Sequence, residues 1–101
     1  MSLTLVNLCT VPPEEAESFV ARFKANTERL GHLPGFGGTN LHINSGVGDQ
    51  TYRFVNIAAW ESAAAWQAAL PRILEGAGPI GGAIPKAALY ESIFRFPGDL
   101  R

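Results

Sequence analysis

YRFVNIAAWESAAAW, residues Tyr52 to Trp66, begins as a strand, turns at Trp60-Glu61-Ser62 and continues as an alanine-rich helix. Side chains alternate along a strand, so Arg53, Val55, Ile57 and Ala59 share one face. Tyr52, Phe54, Asn56, Ala58 and Trp60 share the other. Asn56 therefore sits in an aromatic row where water is scarce. A buried amide without partners costs about 1–3 kcal/mol. Either the protein satisfies Asn56 or a ligand does.

The flanking segments define the rest of the fold. Leu3–Val11 (LTLVNLCTV) reads as a strand that ends at Pro12-Pro13, with apolar residues on both faces. Pro13–Leu30 reads as a helix. Proline suits its first turn, and Glu14, Glu15 and Glu17 suit the positive end of its dipole. Ala16, Phe19, Val20, Phe23, Thr27 and Leu30 form its apolar stripe, with Arg22, Lys24, Glu28 and Arg29 mostly off it. Gly31 supplies the expected stop. Phe36–Asn44 is a second strand whose Gly37-Gly38 invites a bulge. A loop around Ser45–Asp49 leads to a third strand, Thr51–Trp60. Ser62 is the candidate N-cap of a second helix to about Leu74, with a kink or early break at Pro71. Glu75–Pro85 is a glycine-rich connector, expected to be flexible. Ala87–Phe96 is the fourth strand.

The order β-α-β-β-α-β predicts a ferredoxin-like α+β fold, with two helices on one face of a four-stranded antiparallel sheet. The other sheet face is also apolar, because both parities of the first, third and fourth strands carry large hydrophobic residues. A bare apolar sheet of that size calls for a cover. A second copy packed sheet to sheet with two-fold symmetry is the simplest one, so a homodimer is expected.

Composition narrows the function. A chain of 101 residues suits one domain, residues 1–101, and 47% hydrophobic with 17% charged residues suits a folded one. The net charge of −1 and the absence of a basic run give no footprint for nucleic acid or an anionic membrane. The single cysteine, Cys9, excludes an internal disulfide and reads as a core thiol. The apolar run at Leu3–Val11 is too short to span a bilayer and lacks a basic flank, so a cytoplasmic protein is expected.

Several chemical motifs fail on context. Gly76–Gly81 (GAGPIG) fits G-x-G-x-x-G literally, but it follows a helix and precedes a strand, the reverse of the dinucleotide fingerprint. His32 and His42 have no partner at metal-ligand spacing, so no metal site is expected. His42 as a general base competes with simple structural hydrogen bonding. What remains is Asn7 and Asn56, neutral amides in apolar rows. The first and third strands are central neighbours in this topology. If both amides face the helices, they look into a space walled by Phe19, Phe23, Trp60 and Trp66, a normal composition for a small-molecule pocket. The alternative is that the amides satisfy each other, a bulge or a buried water.

The segments LVNLCTVPP, LPGFGGTNLH, FVNIAAWES and ALYE, in this order and over Leu3–Phe94, resemble the antibiotic biosynthesis monooxygenase family of dimeric α/β barrels. The resemblance implies cofactor-independent oxygenation of a small electron-rich aromatic such as an anthrone or quinol. The deprotonated substrate itself would pass an electron to O2, with no metal or flavin. It implies catalytic roles for Asn56 and Trp60, which match the family's Asn and Trp at the same spacing, and for Asn7. Trp66 stands where the anthrone enzymes have a tyrosine, and Phe19 and Phe23 would wall the pocket. Their active-site arginine has no evident equivalent; Ile80 falls near that position and Arg72 is a remote substitute. Haem-degrading members of the superfamily share an Asn and a Trp that Asn7 and Trp60 match. Their iron-ligating histidine on the second helix is missing here, which disfavours haem degradation. A non-catalytic small-molecule-binding or stress-response dimer of the same fold is the competing expectation.

Overall fold

The computed structural model describes residues 3–77 and 84–97. The elements run β1 (Leu3–Thr10), a 3-10 turn (Pro13–Glu15), α1 (Ala16–Leu30), β2 (Phe36–Ile43), β3 (Phe54–Trp60), α2 (Ala63–Ala77) and β4 (Ile84–Tyr90). The four strands form one antiparallel sheet in the order β2-β3-β1-β4. This is the expected ferredoxin-like α+β arrangement, with β1 and β3 in the centre.

Local chemistry explains most boundaries. The Ser62 hydroxyl accepts from Ala65 N at 3.1 Å, so it caps α2 as expected. Gly31 ends α1 but stays in the right-handed region at φ −62°; the left-handed turn falls later, at Gly35 with φ +84°. There the Gly35 carbonyl accepts from Glu61 N at 2.8 Å and ties the α1–β2 turn to the start of α2. β3 starts three residues later than its sequence pattern suggests. The backbone bonds run only as far as Arg53, whose carbonyl accepts from Asn44 N at 2.8 Å; beyond it Asn44 Nδ2 donates to the carbonyls of Asp49 and Tyr52 in place of a ladder. Tyr52 thus lies outside the strand, its ring 6.0 Å from Lys86 Nζ.

Two expectations are corrected. α2 runs through Pro71 without a break and extends to Ala77. Pro71 and Gln67 are both exposed, so the carbonyl deprived of its helical donor can turn to water. β4 spans Ile84–Tyr90, not Ala87–Phe96. Its pairing with β1 runs from Thr10↔Ile84 to Thr4↔Tyr90, and β1 begins at Leu3, so the residues after Tyr90 have no partner strand among the described residues. Pro85 is tolerated because β4 is an edge strand. Of the glycine-rich connector, residues 78–83 lie outside the described residues, and the G-x-G-x-x-G stretch falls largely among them.

The register fixes the two sheet faces. Asn7 lies directly opposite Asn56, Leu5 opposite Ala58, and Cys9 opposite Phe54. This row faces the helices. On one side of the amide pair, Leu5, Ala58, Trp60 and Ala69 form a core cluster with Phe36, Trp66 and Ile73 packed against it. On the other side, Cys9, Val11 and Phe54 form a second cluster with Phe19, Val20 and Leu41. The opposite face carries Val6, Leu8, Val55 and Ile57, only partly buried. Ile93, Phe94 and Phe96, beyond β4, are 81–93% exposed.

Candidate functional site

Between the two core clusters, at the level of the Asn7–Asn56 pair, the protein is hollow. A cavity of about 300 Å³ lies between the sheet and both helices. A core that close-packs above and below a polar layer, but not at it, leaves room for something else there. The volume is at the small end of ligand pockets.

Asn7, Asn56 and Trp60 all line this cavity, as do Phe19, Phe23 and Trp66. The two amides therefore face the helix side together. Each wall has a simple origin. β1 and β3 contribute alternate residues, Leu5, Asn7 and Cys9 against Asn56, Ala58 and Trp60. α2 contributes Trp66, Leu70 and Ile73 at helical spacing. Phe36 tilts against Trp60 with ring centroids 5.2 Å apart, and Phe19 stacks on Phe54 at 4.8 Å. These contacts fix the aromatic walls in place.

The polar atoms are incompletely matched. The Asn7 Oδ1 and Trp60 Nε1 are buried without a hydrogen-bond partner. Asn7 and Asn56 therefore do not satisfy each other through that oxygen, although they face each other across the ladder. Asn56, 9% exposed, is held from β2: the Thr39 hydroxyl donates to Asn56 Oδ1. Native proteins rarely leave a buried N–H or carbonyl oxygen orphaned, and such atoms ask for a reason.

Arg72, expected as a remote cation of the site, is exposed and does not line the cavity. It falls between Leu70 and Ile73 in sequence, off the inward stripe of α2. Its carbonyl instead accepts from Arg29 Nη2 at 3.3 Å, joining the two helices. The cation at the cavity is Arg22 of α1, one turn after Phe19 and beside Phe23. The sequence pattern put it off the apolar stripe; a long side chain at the stripe's edge reaches the rim all the same. Asn26, Thr27 and Thr39 also line the cavity. Thr39 escapes simple alternation because of the β2 bulge, whereas Thr27 already lay on the α1 stripe.

Neither histidine contributes. His42 pairs with Val55 on the opposite sheet face, and His32 is exposed beyond α1. Among the described residues, no group of three or more His, Cys, Asp or Glu could hold a metal ion. Burial pushes the Cys9 thiol up, so the one sulfur at the cavity stays protonated near neutral pH. No helix among the described residues is long and apolar enough to cross a membrane.

Solved structures with this architecture include oxygenases. A protein of Shewanella loihica PV-4, provisionally named a monooxygenase, is 29% identical with a TM-score of 0.80, over 93% of this chain and 96% of that one. SnoaB, a cofactor-independent oxygenase from Streptomyces nogalater, is 31% identical with a TM-score of 0.69, over 95% and 97%. MhuD, a heme-degrader from Mycobacterium tuberculosis, shares the fold at 24% identity and a TM-score of 0.70, over 92% and 97%. No curated protein matches the sequence. The family model described as antibiotic biosynthesis monooxygenase matches residues 2–71, well over half of the chain, and the protein belongs to that family.

Proposed function

We propose that the protein is a cofactor-independent monooxygenase that oxygenates a small electron-rich aromatic, an anthrone or hydroquinone, in the cavity at Asn7, Asn56 and Trp60. One observation carries this reading: an apolar, aromatic-walled space of about 300 Å³ with an unpaired buried donor on Trp60 and an unpaired buried acceptor on Asn7. A flat phenol fills such a space and supplies both missing partners. The likeness to SnoaB, a cofactor-independent oxygenase, supports the reaction class.

The chemistry asks little of the protein. An anthrone loses a proton from its activated CH2 to give an enolate. The enolate passes one electron to O2, and the radical pair joins to a hydroperoxide. Loss of water then leaves a quinone, so one oxygen atom ends in the product and one in water. Asn56 and Trp60 stabilise the anion as N–H donors in a water-poor site. Asn7 orients a phenolic hydroxyl, and Phe19, Phe23 and Trp66 hold the ring plane. Arg22 at the cavity adds positive potential that favours the enolate. Among the described residues no carboxylate or histidine lines the cavity, and the Cys9 thiol is held protonated. The substrate's proton therefore leaves to solvent, and the rate follows the substrate's own ionisation upward with pH.

Haem degradation has less support. The residues at the cavity do not suit a haem iron: it has no histidine, and its one thiol is kept neutral by burial. The protein works as one domain per chain, residues 1–101, paired into a cytoplasmic homodimer. The second copy covers Val6, Leu8, Val55 and Ile57 of the open sheet face.

The test is oxygen uptake with a panel of anthrones and hydroquinones, under chelator and without flavin. Uptake that is lost in Asn56→Ala but kept in the exposed-surface variant Lys24→Ala supports the monooxygenase. Tight binding of the same aromatics without uptake makes the protein a binding module instead.

A further inference from the structure

Thr39 lines the cavity, and the alternation of the β2 sequence hides it. Along β2, Phe36 pairs with Trp60 and Thr39 with Ala58, so three steps on β2 match two on β3. One residue is extra. Gly38, at φ +110° with open space where a Cβ would stand, absorbs it. Without that bulge Thr39 would face the opposite side of the sheet. With it, Thr39 joins Phe36 on the cavity wall.

The Thr39 hydroxyl has one hydrogen and two acceptors in reach. The Ile57 carbonyl is distant at 3.4 Å, and Asn56 Oδ1 is the closer. With its hydrogen given to Asn56 Oδ1 rather than to the Ile57 carbonyl, the hydroxyl holds the oxygen end of the Asn56 amide toward β2. The amide NH2 is then directed away from Thr39. It is not spent on Asn7, whose Oδ1 lacks any partner. Resting on the reading of the cavity as an aromatic site, we propose that Thr39 is a positioning residue: it turns Asn56 from an ambivalent amide into an N–H donor. With Trp60 Nε1, Asn56 Nδ2 then forms a two-donor seat for a phenolate or enolate oxygen. Asn7 Oδ1 is left as the acceptor for a neighbouring hydroxyl. The ligand class that matches this set carries an oxyanion and a hydroxyl on one flat ring system.

A seat made of donors prefers phenolate over phenol, so it lowers the apparent pKa of a bound phenol. 4-Nitrophenol reports its own ionisation by colour, and nitrobenzene serves as the neutral probe of the same cavity. In the wild type, 4-nitrophenol should ionise at lower pH when bound than when free. Thr39→Val keeps the shape but lets the amide turn, and should raise the bound ionisation midpoint by about one pH unit, a tenfold loss of phenolate preference. Nitrobenzene binding should not change. Thr39→Ser should restore the wild-type midpoint. In the unmutated protein, an Asn56 side-chain Nδ2 proton resonance should move downfield when the phenolate binds; a resonance that stays put overturns the assignment whether or not any variant folds. If Asn56→Ala raises the midpoint and Thr39→Val does not, the positioning role is wrong and the aromatic site stands. If neither probe binds the wild type, both fall.

Discussion

Replacing Asn7 with leucine should make the protein more stable and functionally empty. Asn7 Oδ1 is buried and unpaired, in a row between Leu5 and Cys9. Leaving such an oxygen dry costs about 1–3 kcal/mol. Leucine has nearly the same shape, removes the orphan and adds apolar contact with the two flanking clusters. We therefore expect Asn7→Leu to stabilise the ligand-free protein by about 1–2 kcal/mol. For a chain of this length that raises the melting midpoint by roughly 4–16 °C. Wild type and variant are compared at equal protomer concentration, so that any self-association weighs equally on both. Calorimetry gives the midpoint, and the same samples are then titrated with a hydroxylated aromatic. The gain in midpoint on adding that ligand should be large for the wild type and small for the variant. A variant that melts below the wild type would refute the reasoning, because the Asn7 amide would then be a satisfied structural group. Functional sites commonly trade stability in this way.

Three further outcomes test the scaffold around the site. Gly35→Ala should destabilise by about 2–4 kcal/mol in urea unfolding: φ is +84°, and the new Cβ would stand 2.5 Å from Ala65 Cβ. Ile57→Lys, on the sheet face away from the cavity, should convert a dimer into a monomer by light scattering; an unchanged mass would refute the sheet-to-sheet pairing. Asp49 accepts from Thr51 N at 2.9 Å and from the Thr51 hydroxyl at 2.5 Å, which lowers its pKa. Its contribution to the β2–β3 loop should be complete above the ordinary aspartate range of about 4 and fade as pH falls through the lowered value. Amide exchange at Thr51 across that range checks the direction; protection lost on raising the pH would contradict it.

Much of this arrangement is readable from residue order. The parity of β1 and β3 places Asn7 and Asn56 on one face, and the ferredoxin-like order makes those strands neighbours, so the facing amides follow. The spacing of Phe19, Phe23 and Trp66 brings the aromatic walls over them. Parity fails where the backbone departs from a regular strand. Gly37-Gly38 signals a bulge, yet only the observed register says that the extra residue turns Thr39 inward. Side-chain length misleads as well: Arg22 reaches the cavity from the edge of the α1 stripe, while Arg72 points elsewhere. The end of β4 is set by its partner β1, not by the apolar run that continues through Ile93, Phe94 and Phe96. That run has no partner strand among the described residues, so local pattern alone could not locate the boundary. Pro71 misleads for a similar reason, since its effect depends on whether the freed carbonyl meets water.

The most direct measurement supplies oxygen-18 gas to the protein and 1,8-dihydroxyanthrone, under chelator and without flavin, and weighs the product. We expect the corresponding quinone to carry one labelled oxygen, formed at a rate that falls at least tenfold in Asn56→Ala and in Trp60→Phe. Quinone formed no faster than without protein, or formed equally fast by both variants, would contradict a cofactor-independent oxygenase at Asn56 and Trp60.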